Sequence, residues 1–227
     1  LRRLNDDTAR FATDFLIDQL KGQWADVEGV ADFLEEVRWD VLAHVEPFLQ
    51  AGEAQQGPSP QGQPPQPFDD DHPLLRRYRV NLLVDHAGAT SAPVVHEDDP
   101  TFDRLVGKIE YRAEMGTLVT DLLMIRAGAL HRANGGYLLL DARRLISRPM
   151  AWEMLKRALT SREIRIETPM QTLGAFGTAT LEPQPAPLDV KVVLLGERQI
   201  YYLMAQADPD FARLFKIAAD FDERVVR

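Results

Sequence analysis

The chain has 227 residues, a formal net charge of −9, a pI near 5.1 and 45% apolar residues, enough for one large domain or two small ones around a real core. It contains no cysteine, which excludes disulfides, thiolate catalysis and cysteine-ligated zinc and fits a reducing, cytoplasmic setting. The acidic balance argues against a broad nucleic-acid surface, because phosphate binding needs clustered Lys and Arg. No stretch reads as a membrane span or a signal peptide, so a soluble chain without membrane contact is expected. Its ends, Leu1 and Arg227, read as those of a piece of a longer protein.

Residues 4–49 carry apolar side chains at helical spacing, among them Phe11, Phe15, Leu16, Leu20, Phe33, Leu34, Val37 and Val41, which predicts a pair of helices broken near residues 22–29 and ended at Pro47. Residues 1–50 are therefore assigned to a helical segment. Residues 51–67 are rich in Gly, Gln and Pro and predict a flexible tether. The cluster Asp69, Asp70, Asp71 and His72 beside it reads as a solvated charge run rather than a metal site. Residues 68–227 read as an α/β core.

Within that core the pattern predicts a strand at 78–84 and a short helix at 102–106. A hairpin at 109–125 turns at Met115 and Gly116, a short helix covers 128–133 and a buried strand 136–141. One long helix follows at 142–159, then a hairpin from 163–167 and 178–181. A second strand buried on both faces lies at 190–195, a helix at 199–205 and a last strand at 215–221. Strands alternating with helices favour a parallel sheet with crossover connections.

The most informative stretch is 125–141, where a Gly pair precedes the apolar run Tyr137, Leu138, Leu139 and Leu140 and Asp141 follows it. A buried strand ending in an acid places that acid at the carboxyl edge of a sheet, where ligands of open α/β folds sit. Two readings of Asp141 are open: a carboxylate that holds the water shell of a nucleotide's magnesium, or the cap of the next helix.

The succession Leu105-Val106-Gly107-Lys108-Ile109-Glu110, then 126–141, then Glu182-Pro183 before 190–195, then Leu214-Phe215-Lys216 resembles the AAA+ module of Lon-like ATP-dependent proteases. Archaeal-type membrane Lon proteases show a similar succession, as do magnesium-chelatase-like AAA+ proteins more distantly. The specific part of the resemblance is Gly-Ala-Leu-His-Arg-Ala-Asn-Gly-Gly-Tyr at 128–137. It implies a P-loop-type parallel sheet flanked by helices, with the first helical segment matching an insertion. It also implies ATP and magnesium as ligands, unfolded polypeptides as substrates, a homo-oligomeric ring, expected to be a hexamer, and a serine-lysine protease domain elsewhere in the full-length protein.

Neither a Gly-x-x-x-x-Gly-Lys-Ser/Thr loop nor the family's protease motif occurs in these residues, so the fragment by itself is expected to be inactive. On the resemblance, Asp141 falls at the Walker B aspartate, followed by Ala142 where such ATPases usually carry glutamate. Glu110, Glu114 and Glu197 are the candidates to replace it. Glu197 and Arg198 stand at the tip of the sensor-1 strand, and Lys216 lies where relatives place an arginine finger. Tyr111, Met115 and Gly116 form the candidate pore-facing hairpin. His131, with no second histidine at ligand spacing, reads as structural. The alternative to this function is a non-hydrolysing scaffold or partner-docking module.

Overall fold

A computed structural model describes residues 2–48, 73–167 and 181–221. The chain divides into two compact units, Leu1–Arg79 and Val80–Arg227. The expected tether at 51–67, the Asp69 to His72 run and nearly all of the expected arm at 178–181 lie outside the described residues.

In the first unit, α1 (Arg2–Gln23) and α2 (Val30–Ala43) form an antiparallel pair, as the helical periodicity predicts. The turn between them ends at Gly29, whose φ of 80° suits a residue without Cβ. Ile17 and Leu34 are buried in the seam. Arg38 of α2 ties it by reaching Asp14 at 3.3 Å and Glu35 at 3.0 Å, and Lys21 pairs with Glu35. A short helix, α3 (Pro73–Arg76), belongs to the same unit. Just beyond it, the Tyr78 hydroxyl donates to Asp40 Oδ2 at 2.6 Å and Arg77 pairs with the same carboxylate at 3.2 Å. Burial, and then Asp40, push the Tyr78 hydroxyl up to about 12. Residues 73–79 thus group with the helices, not with the α/β core, and the strand expected at 78–84 does not form.

The second unit centres on a parallel sheet of β1 (Val94–Glu97), β6 (Tyr137–Asp141) and β9 (Lys191–Leu195), in the order β1-β6-β9. Parallel neighbours need crossovers, and these supply α4 (Phe102–Val106), α5 (Ala129–Arg132), α6 (Ala142–Ile146) and α7 (Pro149–Ser161). After β9 come α8 (Arg198–Ala207) and α9 (Phe211–Leu214). Leu105, Leu130, Leu138, Leu140, Leu145 and Leu155 are completely buried in one cluster, against which Val95, Val192 and Leu194 also pack.

The sequence predicts burial of β6 and β9 on both faces, and the structure corrects this. Side chains alternate across a strand, and here Tyr137, Val193 and Leu195 stay 39%, 38% and 43% exposed, with Val94 beside them at 66%. Helices pack on the Leu138 and Leu140 face. The expected long helix at 142–159 is likewise two helices, because Pro149 has no amide to donate and disfavours helical geometry at Arg148. Residues 215–221 form no strand, with Ile217 and Phe221 90% and 89% exposed.

Residues 107–127 fold as one irregular antiparallel ribbon. In it β2 (Gly107–Ile109) pairs with β5 (Ile125–Ala127), and β3 (Arg112–Glu114) pairs with β4 (Thr117–Val119). Two further pieces, β7 (Glu163–Ile164) and β8 (Ala186–Pro187), also pair antiparallel. No helix of the described residues is long and apolar enough to cross a membrane.

Two glycines let backbones meet. A Cβ on Gly136 would lie 2.0 Å from the Pro93 carbonyl oxygen, and one on Gly128 would lie 2.3 Å from both the Gly107 nitrogen and the Leu105 oxygen. Gly22, in α1, has open space around it. Gly136→Ala is therefore expected to destabilise the α/β unit by about 3 kcal/mol through overpacking, whereas Gly22→Ala should stabilise its helix by up to about 1 kcal/mol. Urea denaturation followed by circular dichroism measures both. Equal effects of the two changes would refute the close-approach argument.

Candidate functional site

The carboxyl edge of the parallel sheet brings together two of the candidate acids, Asp141 and Glu197. β6 and β9 are adjacent, with Asp141 opposite Leu195 in the register, so Asp141 and Glu197 emerge on the same edge. Asp141 Oδ1 accepts the Arg144 amide at 2.8 Å and caps α6. Arg143 of that helix leans across the edge, its Nη1 4.0 Å from Glu197 Oε1. Arg144 Nη1 donates to the Asp98 carbonyl at 2.5 Å, joining the ends of β6 and β1.

Sequence reasoning missed Glu97, which ends β1. Its carboxylate is only 3% exposed, yet both oxygens are engaged: Arg104 Nε lies 3.0 Å from Oε1, Arg132 Nη2 lies 3.0 Å from Oε2, and the Asp99 amide donates to Oε1 at 3.2 Å. A buried carboxylate needs this partnering. With its acceptors occupied, Glu97 is a tie between β1, α4 and α5 rather than a spare base. The signal was present in Val94-Val95-His96-Glu97, a short apolar run closed by an acid, as in 138–141.

The remaining candidates divide. Glu110 ends β2 outside the parallel sheet, held by Lys108 at 2.9 Å and Arg126 at 2.8 Å. Hydrogen bonds to these two cations, Lys108 first, lower its carboxyl below the usual range. Glu114 has its backbone in β3 of the ribbon. Of the three acids considered as replacements for the missing glutamate, only Glu197 stands on the edge with Asp141. Arg198 pairs with Asp220 at 3.3 Å. Lys216 is exposed and follows Phe215, which stacks on Trp152 at 5.9 Å and Phe211 at 5.3 Å.

Met115 and Gly116 form the two-residue loop between β3 and β4, with φ of 48° and 81°. Met115 is fully exposed, Leu118 is 70% exposed and Tyr111 is 38% exposed. A hairpin loop with both residues left-handed favours Asn-Gly, since a long side chain in that region is strained. Met115 thus places an exposed apolar side chain at a turn whose backbone favours a different residue.

The phrase at 128–137 is a structural knot. Ala129, Leu130 and Ala133 are completely buried, and Asn134 takes the Asp189 amide at 2.7 Å while donating to the Pro187 carbonyl at 2.9 Å. His131 is buried, and its Nδ1 accepts the Gly128 amide at 3.4 Å, which puts the proton of the neutral ring on Nε2. Burial lowers it from 6.5 to about 4.

Because the unfolded chain takes up this proton first, stability should be full above about pH 6.5 and fall as pH drops toward 4, by up to about 3 kcal/mol. Chemical denaturation across that window checks the slope. His131→Asn, which keeps an acceptor but does not titrate, should flatten it. An unchanged slope in that variant would remove His131 from the account.

A family model described as LonB-like, AAA domain matches residues 90–222, more than half of the chain. Among curated proteins none matches.

Proposed function

Since the chain belongs to the LonB-like AAA domain family, we propose that it is the AAA+ module of a Lon-type ATP-dependent protease. In this reading it helps to assemble a ring, expected to be hexameric and cytoplasmic, and hands unfolded polypeptide to a protease domain elsewhere in the full-length protein. The observation that carries the nucleotide part is the placement of Asp141 and Glu197 on one carboxyl edge, from adjacent parallel strands. Asp141 suits an outer-shell partner of magnesium, because the helix cap uses Oδ1 and leaves Oδ2 without a hydrogen bond among the described residues. No group of His, Asp and Glu among those residues is arranged to hold a metal directly. Phosphates would have to be held by a loop outside this sequence. Magnesium bound with them would neutralise the charge that develops on transfer.

Within this proposal the work of the chain's own residues is positional. Asp141 would orient the metal's water shell, and Glu197, the acid on the same edge, would align the attacking water in place of the glutamate that Ala142 cannot supply. Lys216 and Arg198 would face nucleotide, Lys216 as a point charge without the bidentate fork of arginine. Met115, with Tyr111 and the freedom of Gly116, would grip polypeptide without reading its sequence.

A second reading, a non-hydrolysing scaffold, is favoured by one observation: capping α6 already accounts for Asp141. Two substitutions in the full-length protein separate the readings. Asn caps helices as well as Asp, so Asp141→Asn should leave stability nearly unchanged, while Asp141→Ala costs about 1 kcal/mol. If Asp141 serves magnesium, both variants should lose most magnesium-dependent ATP turnover. Absence of magnesium-dependent turnover in the wild-type protein would leave the scaffold reading standing, whereas turnover that survives Asp141→Asn undiminished would overturn both readings.

The hairpin generates its own expectation. Met115→Asn should stabilise the turn by up to about 1 kcal/mol and yet slow cleavage of an unfolded protein such as casein by the full-length enzyme, with cleavage of short peptides preserved. Improved stability with undiminished casein cleavage would discard the gripping role.

A further inference from the structure

The outer face of α2 differs from the rest of the helix pair. From residue 22 to residue 37 there is no Lys or Arg, while Asp26, Glu28, Asp32, Glu35 and Glu36 all fall there. Glu35 of this stretch is paired with Arg38 and Lys21, and beyond the stretch Asp14 pairs with Arg38 and Asp40 with Arg77 and Tyr78. Asp26, Glu28, Asp32 and Glu36 have no ion pair or hydrogen bond among the described residues. Asp32 and Glu36 stand four residues apart on one helix face, where like charges repel.

Trp39, three residues beyond Glu36, completes that face and is 77% exposed; Phe33 alongside is 40% exposed, and Trp24 and Val27 before the helix are 49% and 47% exposed. The opposite face of α2 is already committed, through Leu34 and Arg38, to α1. Large aromatic side chains interleaved with unpaired carboxylates combine apolar contact with a demand for positive charge. Tryptophan also attracts Lys and Arg through its ring face.

We propose that this face, Asp32, Phe33, Glu36 and Trp39, docks a basic, apolar segment of another polypeptide. Charge complementarity chooses the occupant. Nucleic acid and anionic membrane would be repelled, and a small cation would have no use for the aromatic rings. A segment with apolar residues on one side and Lys or Arg beside them fills both demands, as amphipathic helices do in helix-in-groove recognition. The docking is independent of nucleotide and of the sheet edge.

The test uses the whole 227-residue chain and a fluorescein-labelled amphipathic Leu/Lys peptide, with a Leu/Glu peptide of the same pattern as control. Fluorescence anisotropy should report binding of the Leu/Lys peptide, weakened by added salt, and none of the Leu/Glu peptide. Asp32→Asn with Glu36→Gln, and separately Trp39→Ala, should each weaken binding about tenfold. Phe11→Ala with Phe15→Ala, on α1, should leave it unchanged. These are surface changes, and circular dichroism verifies that the helices persist. Equal binding of both peptides, unchanged affinity in the α2 variants, or equal loss in the α1 variant would each overturn the proposal.

Discussion

The closest constraint in the α/β unit is steric, and it acts between backbones. At Gly136 the chain enters β6 so near the Pro93 carbonyl that no Cβ fits, and at Gly128 it passes equally near Leu105 and Gly107. The Tyr137 amide donates to that same Pro93 oxygen at 2.8 Å, which sets the register of β1 against β6. From that register follows the alternation that buries Leu138 and Leu140 and brings Glu97 and Asp141 to the same end of the sheet. The glycines thus act on the candidate site at a distance, by fixing which residues reach the edge.

At that edge, charge does the next part of the work. Glu97 is buried and would be costly to leave alone, but Arg104 and Arg132 reach it from α4 and α5. Asp99 is met by Arg148, and Asp98 by Arg144 through its carbonyl. Each link joins the end of β1, or the loop after it, to a different helix or its first cap residue. The result is an edge whose backbone is held by arginines while Asp141, among the described residues, keeps one oxygen uncommitted. Glu97 is the one buried member of these pairs among the described residues; a buried carboxylate paired in this way adds little net stability relative to apolar packing, but removing its partners strands it. Its contribution lies in fixing loop positions.

Much of the fold was legible from sequence because the signals were local. The helix pair, the short helices near Phe102 and Ala129, the hairpin across Met115 and Gly116 and the two strands leading to Asp141 and Glu197 all follow from periodicity or turn chemistry. Other features did not: the strands expected at 78–84 and 215–221 do not form, and three more were hidden for separate reasons. Apolar runs in β6 and β9 say that neighbours exist somewhere, not on which face, so the exposure of Val193 and Leu195 was invisible. A helix-like pattern across 142–159 concealed the effect of Pro149 on Arg148. Glu97 was overlooked because its strand is short, and its arginine partners lie 7 and 35 residues away in the chain, beyond the reach of any local pattern.

The phrase that carries the family resemblance, at 128–137, proves to contain packing and hydrogen-bonding residues: Ala129, Leu130 and Ala133 fill the core, His131 closes on Gly128, and Asn134 holds 187–189. Such a motif identifies the architecture without specifying the chemistry at its edge. Asp141 illustrates the difference, since helix capping uses one carboxylate oxygen and magnesium's water shell needs only the other. The two roles impose the same residue at the same place, so neither the family match nor the position of Asp141 chooses between ATPase and scaffold. The choice rests on what aligns water beside it. Ala142 cannot, and Glu197, drawn toward Arg143 on the same edge, is the carboxylate that could.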